Sequence, residues 1–361
     1  MDRDNKNEHN MARLKGGVMG VKKGIIFLFG LTLIISNSAW SIQAVENKIV
    51  RPYGIIVSQD STKIPHAVVE KIKLFSPLSS DSDERIERNG TLVRYPDAES
   101  TILICHGFMC DRFEVACLRS IFPKKKCNIM TFDFRAHGEN PDGQFCTFGR
   151  DEALDVQTAA RFLREHPELQ DKPLVVYGFS MGAVASIEAQ SQDTQLFDGM
   201  ILDCPFDSSK NLIKKGLNNM KFKIFGQEFN IPGRETLERY AFHPYVQSFL
   251  KVVLKAVARM DTKNICTNIC PVSPKKSVRN IAVPCFFIHC KNDELVPVDA
   301  VKKVYERAQG YKTLWVTAGK RHFDSYFSCP ELYSQKVKMF LKGIINDDLD
   351  QSLNGVMVED A

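Results

Sequence analysis

Ser180 sits in Gly178-Phe179-Ser180-Met181-Gly182, directly after the apolar run Leu174 to Tyr177 and just before the small residues Ala183 and Ala185. A G-x-S-x-G turn of this kind lifts a serine hydroxyl out of a sharp strand-to-helix junction. The positions two before and two after the serine must be small, because side chains there collide with neighbouring backbone. A hydroxyl is a weak nucleophile until a base takes its proton, and the base needs a carboxylate to orient it. In chains built around this turn the order is nucleophile, acid, histidine. His9, His66, His106, His137 and His166 all precede Ser180. Of the three that follow, His243 falls in a long insertion and His289 in the middle of an apolar run. His322 stands in the polar loop TAGKRHFDSY and is the expected base.

The acid is expected in FFIHCKNDELVP, at Asp293, with Glu294 beside it as an alternative. Asp203, at the end of an earlier apolar run, competes for the same role. Acyl transfer also needs two backbone N–H groups aimed at the oxygen of the tetrahedral intermediate. Met181, next to the serine, is one expected donor. Phe108 is the other, in His106-Gly107-Phe108 after the run TILIC, with His106 expected to be structural.

These loops need a frame. From residue 100 onward, short runs that are apolar on both faces alternate with helical patterns. The runs are Thr101 to Cys105, Asn128 to Phe134, Leu174 to Tyr177, Met200 to Asp203, Pro284 to His289 and Thr313 to Val316. Helical spacing covers Asp111 to Ile121, Asp151 to Glu165, Met181 to Gln192, Ala300 to Gln309 and about Pro330 to Ile345. The alternation predicts an α/β fold with a mainly parallel sheet flanked by helices. Val68 to Leu74 and Thr91 to Tyr95 suit an antiparallel edge. In such a sheet ligands meet the carboxyl ends of the strands, where Ser180 stands.

About eighty residues separate Asp203 from Pro284, too many for a plain loop. Val246, Phe249, Leu250, Val253, Leu254, Val257 and Met260 recur at helical spacing, with Lys251, Lys255 and Arg259 opposite, which predicts an amphipathic helix in an inserted lid over 205–280. That segment holds 14 Lys and Arg against 5 Asp and Glu, net +9. A solvated basic face explains this charge, and so does peripheral contact with an anionic lipid surface.

The whole chain of 361 residues, 44% hydrophobic and 25% charged, has globular composition, and its net charge of +5 gives no reason to expect a nucleic-acid partner. Lys22 and Lys23, the apolar run Gly24 to Ile35 and the small residues near Ala39 and Ser41 read as an export signal over 1–41. An uncleaved membrane anchor and a buried core helix are the alternatives. Eleven cysteines follow it, and the odd number leaves at least one unpaired. Cys266 and Cys270, one helical turn apart, are open to pairing with each other, pairing elsewhere or staying reduced. The spacings complete no zinc set, and no cofactor is implied.

The succession HGF, DFRAHGEN, GFSMG, LDCPF, KNDELVP and the His322 loop resembles α/β-hydrolases of the serine aminopeptidase and monoacylglycerol lipase-like group, over roughly residues 65 to 345. Ala136 stands where that group's D-x-R-G-H-G stretch carries glycine. The resemblance implies an α/β-hydrolase fold in two core segments, 50–204 and 281–346, with an inserted helical lid and a C-terminal tail over 347–361. It also implies a serine hydrolase acting on carboxylic esters or acyl lipids. A peptidase or acyl-protein thioesterase is the nearer alternative, and a non-catalytic binding protein the distant one.

Overall fold

Every residue of Ser100–Cys105, Cys127–Phe132, Leu174–Phe179, Gly199–Asp203 and Cys285–Cys290 is buried, as strands covered on both faces must be. The computed structural model describes residues 53–60, 64, 66–139, 144–219, 221–224, 227–230, 233–248, 265–351 and 354–358. The strands, in chain order, are β1 Gly54–Asp60, β2 Val68–Pro77, β3 Arg85–Arg94, β4 Ser100–Cys105, β5 Cys127–Phe132, β6 Leu174–Phe179, β7 Gly199–Asp203, β8 Lys221–Ile224, β9 Gln227–Asn230, β10 Cys285–Cys290, β11 Lys312–Thr317 and β12 Gly355–Val358. Ten of them form one sheet in the order β1-β2-β3-β5-β4-β6-β7-β10-β11-β12. The pairs from β5 across to β12 are parallel, and β1, β2 and β3 join antiparallel. The two weak signals in residues 50–100 are therefore the antiparallel edge expected of them, with β1 added outside.

Alternate side chains of each central strand feed two cores. On one face Leu103, Val176, Leu202 and Phe287 pack with α1 (Glu152–Arg164) and α2 (Met181–Gln192). On the other, Ile104, Tyr177, Ile201 and Trp315 meet the 3-10 helix Glu114–Ile121 and the long C-terminal helix Pro330–Ile345. With two covered faces the sheet is rigid, and the loops at its carboxyl ends start from fixed points.

Two expectations need correction. The insertion is not purely helical: its described residues hold α3 (Ser209–Asn219) and α4 (Arg234–Arg239), but also the antiparallel pair β8–β9. KFKI alternates polar and apolar residues, a period of two that signals a strand, and QEFN pairs with it through Phe222 opposite Phe229. The end of the insertion already belongs to the core, since Cys146 exchanges backbone hydrogen bonds with Cys266 and Asn268, and Val278 is fully buried in the main core. The tail supplies β12, parallel to β11. Its four residues are too few to stand out as a strand in sequence, and one side of it is exposed, as at an edge.

The expected signal over 1–41 lies outside the described residues. So does the predicted helix from Phe249 onward, with Lys251, Lys255 and Arg259. Among the described residues no helix is long and apolar enough to cross a membrane. All eleven cysteines are free thiols, so Cys266 and Cys270 are not joined.

Candidate active site

Between β6 and α2, Ser180 adopts φ 52°, a left-handed conformation strained for any residue with a side chain. The two glycines explain how the turn closes. A Cβ on Gly178 would stand 2.7 Å from the Gly182 carbonyl oxygen, and one on Gly182 only 2.2 Å from that of Cys105. The strand, the turn and the neighbouring strand β4 are thus in backbone contact, which leaves the half-buried Ser180 hydroxyl facing out at the sheet's carboxyl end.

His322 comes from the loop after β11. Its Nε2 lies 2.8 Å from Ser180 Oγ and its Nδ1 lies 2.6 Å from Asp293 Oδ2. With Nδ1 donating to the carboxylate, Nε2 is left to accept the serine proton. The other oxygen of Asp293, Oδ1, accepts from the backbone N–H groups of Leu295 and Val296 at 2.8 and 2.9 Å. Burial opposes the charge on Asp293, but the hydrogen bond and charge of His322, with these amides, hold its carboxyl below the usual range. Asp293 is therefore a buried carboxylate whose two oxygens are both used.

The rival acids are placed elsewhere. Asp203 is fully buried and accepts from Tyr333 at 2.7 Å, and burial pushes its carboxyl up to about 7 in spite of hydrogen bonds from Cys204 and Tyr333. Glu294 points into solvent. His289, fully buried in β10, hydrogen-bonds with Nε2 to the Val296 carbonyl at 2.9 Å and so steadies the turn that carries Asp293. Its place inside an apolar run gave no hint of this supporting position.

Of the two expected amide donors, one adjoins the serine in the chain and the other lies in the loop after β4. Met181 is the first residue of α2, and a first-turn N–H has no acceptor within its own helix. Phe108 follows Gly107, where a Cβ would stand 2.6 Å from the ring of Phe179, so the loop after β4 rides directly on the residue before Ser180. His106 Nε2 accepts from the Phe134 N–H at 3.0 Å, and burial, together with the neighbouring His137, lowers its pKa to about 3. It is a neutral, structural histidine.

Sequence reasoning missed the brace under the Phe108 loop. Asp133 and His137, both in DFRAHGEN, reach across to it: His137 Nε2 accepts from the Met109 N–H at 3.2 Å, and Asp133 accepts from the Arg112 N–H at 2.8 Å and pairs with the Arg112 guanidinium. Arg135 of the same stretch is locked on buried Asp155 at 2.8 Å. The stretch DFRAHGEN was itself the visible signal, since so many polar residues right after a buried strand need partners. Around the serine, Phe108 packs on Phe148 with centroids 4.8 Å apart, and Phe179 stacks on Phe323 at 4.3 Å. The mouth of the site is therefore aromatic and apolar on two sides.

Residues 102–335 match the alpha/beta hydrolase family. Over 256 residues the chain is 27% identical to the protein YqkD of Bacillus subtilis, covering 70% of this chain and 74% of that one. Among solved structures, the esterase Pf2001 of Pyrococcus furiosus superposes with a TM-score of 0.52 at 23% identity, over 76% of this chain and 92% of that one. The peroxisomal alpha-beta-hydrolase Lpx1 of Saccharomyces cerevisiae gives 0.55 at 13% identity, over 80% and 92%. At these identities the structural likeness is one of fold.

Proposed function

The chain belongs to the alpha/beta hydrolase family, and from that premise we propose that it is a serine hydrolase cleaving carboxylic ester or acyl-lipid bonds by acyl transfer. The observation that carries the reading is the unbroken path Ser180 Oγ, His322 Nε2, His322 Nδ1, Asp293 Oδ2, with bonds of 2.8 and 2.6 Å at its two joints. His322 takes the serine proton as Oγ attacks the carbonyl carbon, and Asp293 stabilises the imidazolium that results. The amides of Met181 and Phe108 meet the negative oxygen, each such donor being worth about 3 kcal/mol of the barrier. Collapse expels the leaving group, which takes the proton from His322, and water repeats the sequence on the acyl-enzyme.

An acyl ester is favoured over a peptide by the apolar mouth, where Phe108, Phe148 and Phe323 offer ring surface to a hydrocarbon chain. Fluorophosphonate labelling tests the nucleophile: the wild type should label and Ser180→Ala should not, while its circular dichroism stays unchanged. Labelling that survives the substitution would move the nucleophile elsewhere. A panel of acyl esters, thioesters and aminoacyl amides then ranks the bond classes, with esters expected first.

A further inference from the structure

Cys204 follows β7, Asp293 follows β10 and His322 follows β11, so three consecutive strands of the sheet each deliver one metal-binding side chain to the same spot. The Cys204 sulfur, a carboxylate oxygen of Asp293 and an imidazole nitrogen of His322 all lie within 4.8 Å of one another. Cys204 has φ 52°, and its N–H donates to the Ile288 carbonyl at 2.9 Å, so the backbone that places the sulfur is tied to β10. The thiol has no part in the proton path from Ser180 to Asp293.

We propose that Cys204, Asp293 and His322 form a binding site for zinc or a similar thiophilic divalent cation, and that zinc bound there switches the hydrolase off. The donor set decides the class of cation: sulfur with imidazole and one carboxylate suits zinc, whereas magnesium and calcium take oxygen ligands. Zinc holds thiolate sulfur at about 2.3 Å and imidazole nitrogen at about 2.0 Å, so a tetrahedral edge between them is about 3.5 Å. The Cys204 thiol donates to Asp203 Oδ1 at 3.0 Å, and zinc takes the sulfur in exchange for that hydrogen bond. The His322 side chain is 21% exposed, which gives a cation a way in from the cleft.

On binding, the Cys204 thiol gives up its proton to solvent and the thiolate becomes a ligand, with no change of oxidation state. Zinc on Nδ1 of His322 moves the proton shared with Asp293 to Nε2, and zinc on Nε2 takes the lone pair that Ser180 needs. In both cases the base is lost.

The inhibitory half rests on the serine-hydrolase reading; the binding half does not. Binding is therefore read with cobalt(II) as a spectroscopic substitute, through its thiolate-to-cobalt charge-transfer absorption. The full chain and Ser180→Ala should both show the band, and Cys204→Ser and Cys204→Ala should both lose the same part of it, the other cysteines contributing equally throughout. Inhibition is read as activity in buffered zinc relative to each protein's own zinc-free rate. The zinc concentration for half-inhibition should rise at least about tenfold in the Cys204 variants. Two substitutions are used so that misfolding of one, seen by circular dichroism, leaves the other. A cobalt band indifferent to both Cys204 substitutions overturns the site. A Cys204-dependent band with equal zinc sensitivity in all proteins keeps the site and overturns the switch, and a band without any ester turnover puts the fault in the hydrolase reading.

Discussion

The Tyr333 hydroxyl donates to Asp203 Oδ2 at 2.7 Å, and this bond helps to separate two aspartates that stand at the carboxyl ends of neighbouring strands. Asp203 is bound to the helix behind the sheet, and Asp293 is bound to His322. Replacing Asp293 by Asn should lower kcat by about 10⁴, the size of effect that follows when a catalytic histidine loses its orienting carboxylate. Asp203→Asn should cost less than about tenfold, because Asn still accepts from Tyr333 and nothing between it and Ser180 changes. Steady-state kinetics on the best ester decides, and the opposite ranking would make Asp203 the acid.

Asp203 also sets a pH dependence of stability. Burial raises its carboxyl from 3.8 to about 7, partly offset by hydrogen bonds from Cys204 and Tyr333, with Cys290, Tyr177 and His322 the other titratable groups acting on it or on Tyr333. A folded value above the unfolded one means the folded chain holds the proton more tightly. Charging it therefore costs nothing below about pH 4, a growing amount between about pH 4 and 7, and a constant amount above. Asp203→Asn cannot charge, so its melting temperature relative to wild type should climb through that window and then level off. A flat difference would show that the carboxyl ionises normally, and one that grows toward acid would show that folding favours its charged form.

Gly182 and Gly216 offer a matched pair. Alanine at 182 drives a methyl to 2.2 Å from the Cys105 carbonyl oxygen, whereas at 216, inside α3, nothing lies within 4 Å. Gly182→Ala should destabilise by about 3 kcal/mol or more and take the activity with it. Gly216→Ala should stabilise by about 1 kcal/mol through helix propensity. Urea melts of the two variants give both numbers, and a benign Gly182→Ala would contradict the close approach of the turn to β4.

Ala136 has φ 62° and is buried, in the stretch where the resembling hydrolases carry glycine. A left-handed conformation costs an L-residue about 1–2 kcal/mol, part of which glycine returns as unfolded-state entropy. Ala136→Gly should therefore raise stability by about 0.5–1 kcal/mol without changing kcat, readable as a shift of the urea midpoint. A lower midpoint would mean that the buried methyl matters more than the strain.

The hydroxyl-bearing turn, the order of strands and helices, and the set of candidate partners were legible in the residues because each rests on local rules: small residues around a sharp turn, doubly buried strands without alternation, one histidine in a polar loop after the last such run. Three things rest on contacts between segments far apart in the chain. Asp203 and Asp293 look equivalent in sequence, and their partners distinguish them: Tyr333, on a helix 130 residues further on, takes Asp203, while His322 takes Asp293. The brace from His137 to Met109 and the convergence of Cys204 on Asp293 and His322 have no spacing to betray them, since their members come from different strand ends. The tail strand Gly355–Val358 is four residues long and becomes a strand because β11 presents an open edge to it. Local sequence determines which element forms and where it turns; which of two equal side chains finds a partner is decided when the sheet closes and the buried polar groups must be satisfied.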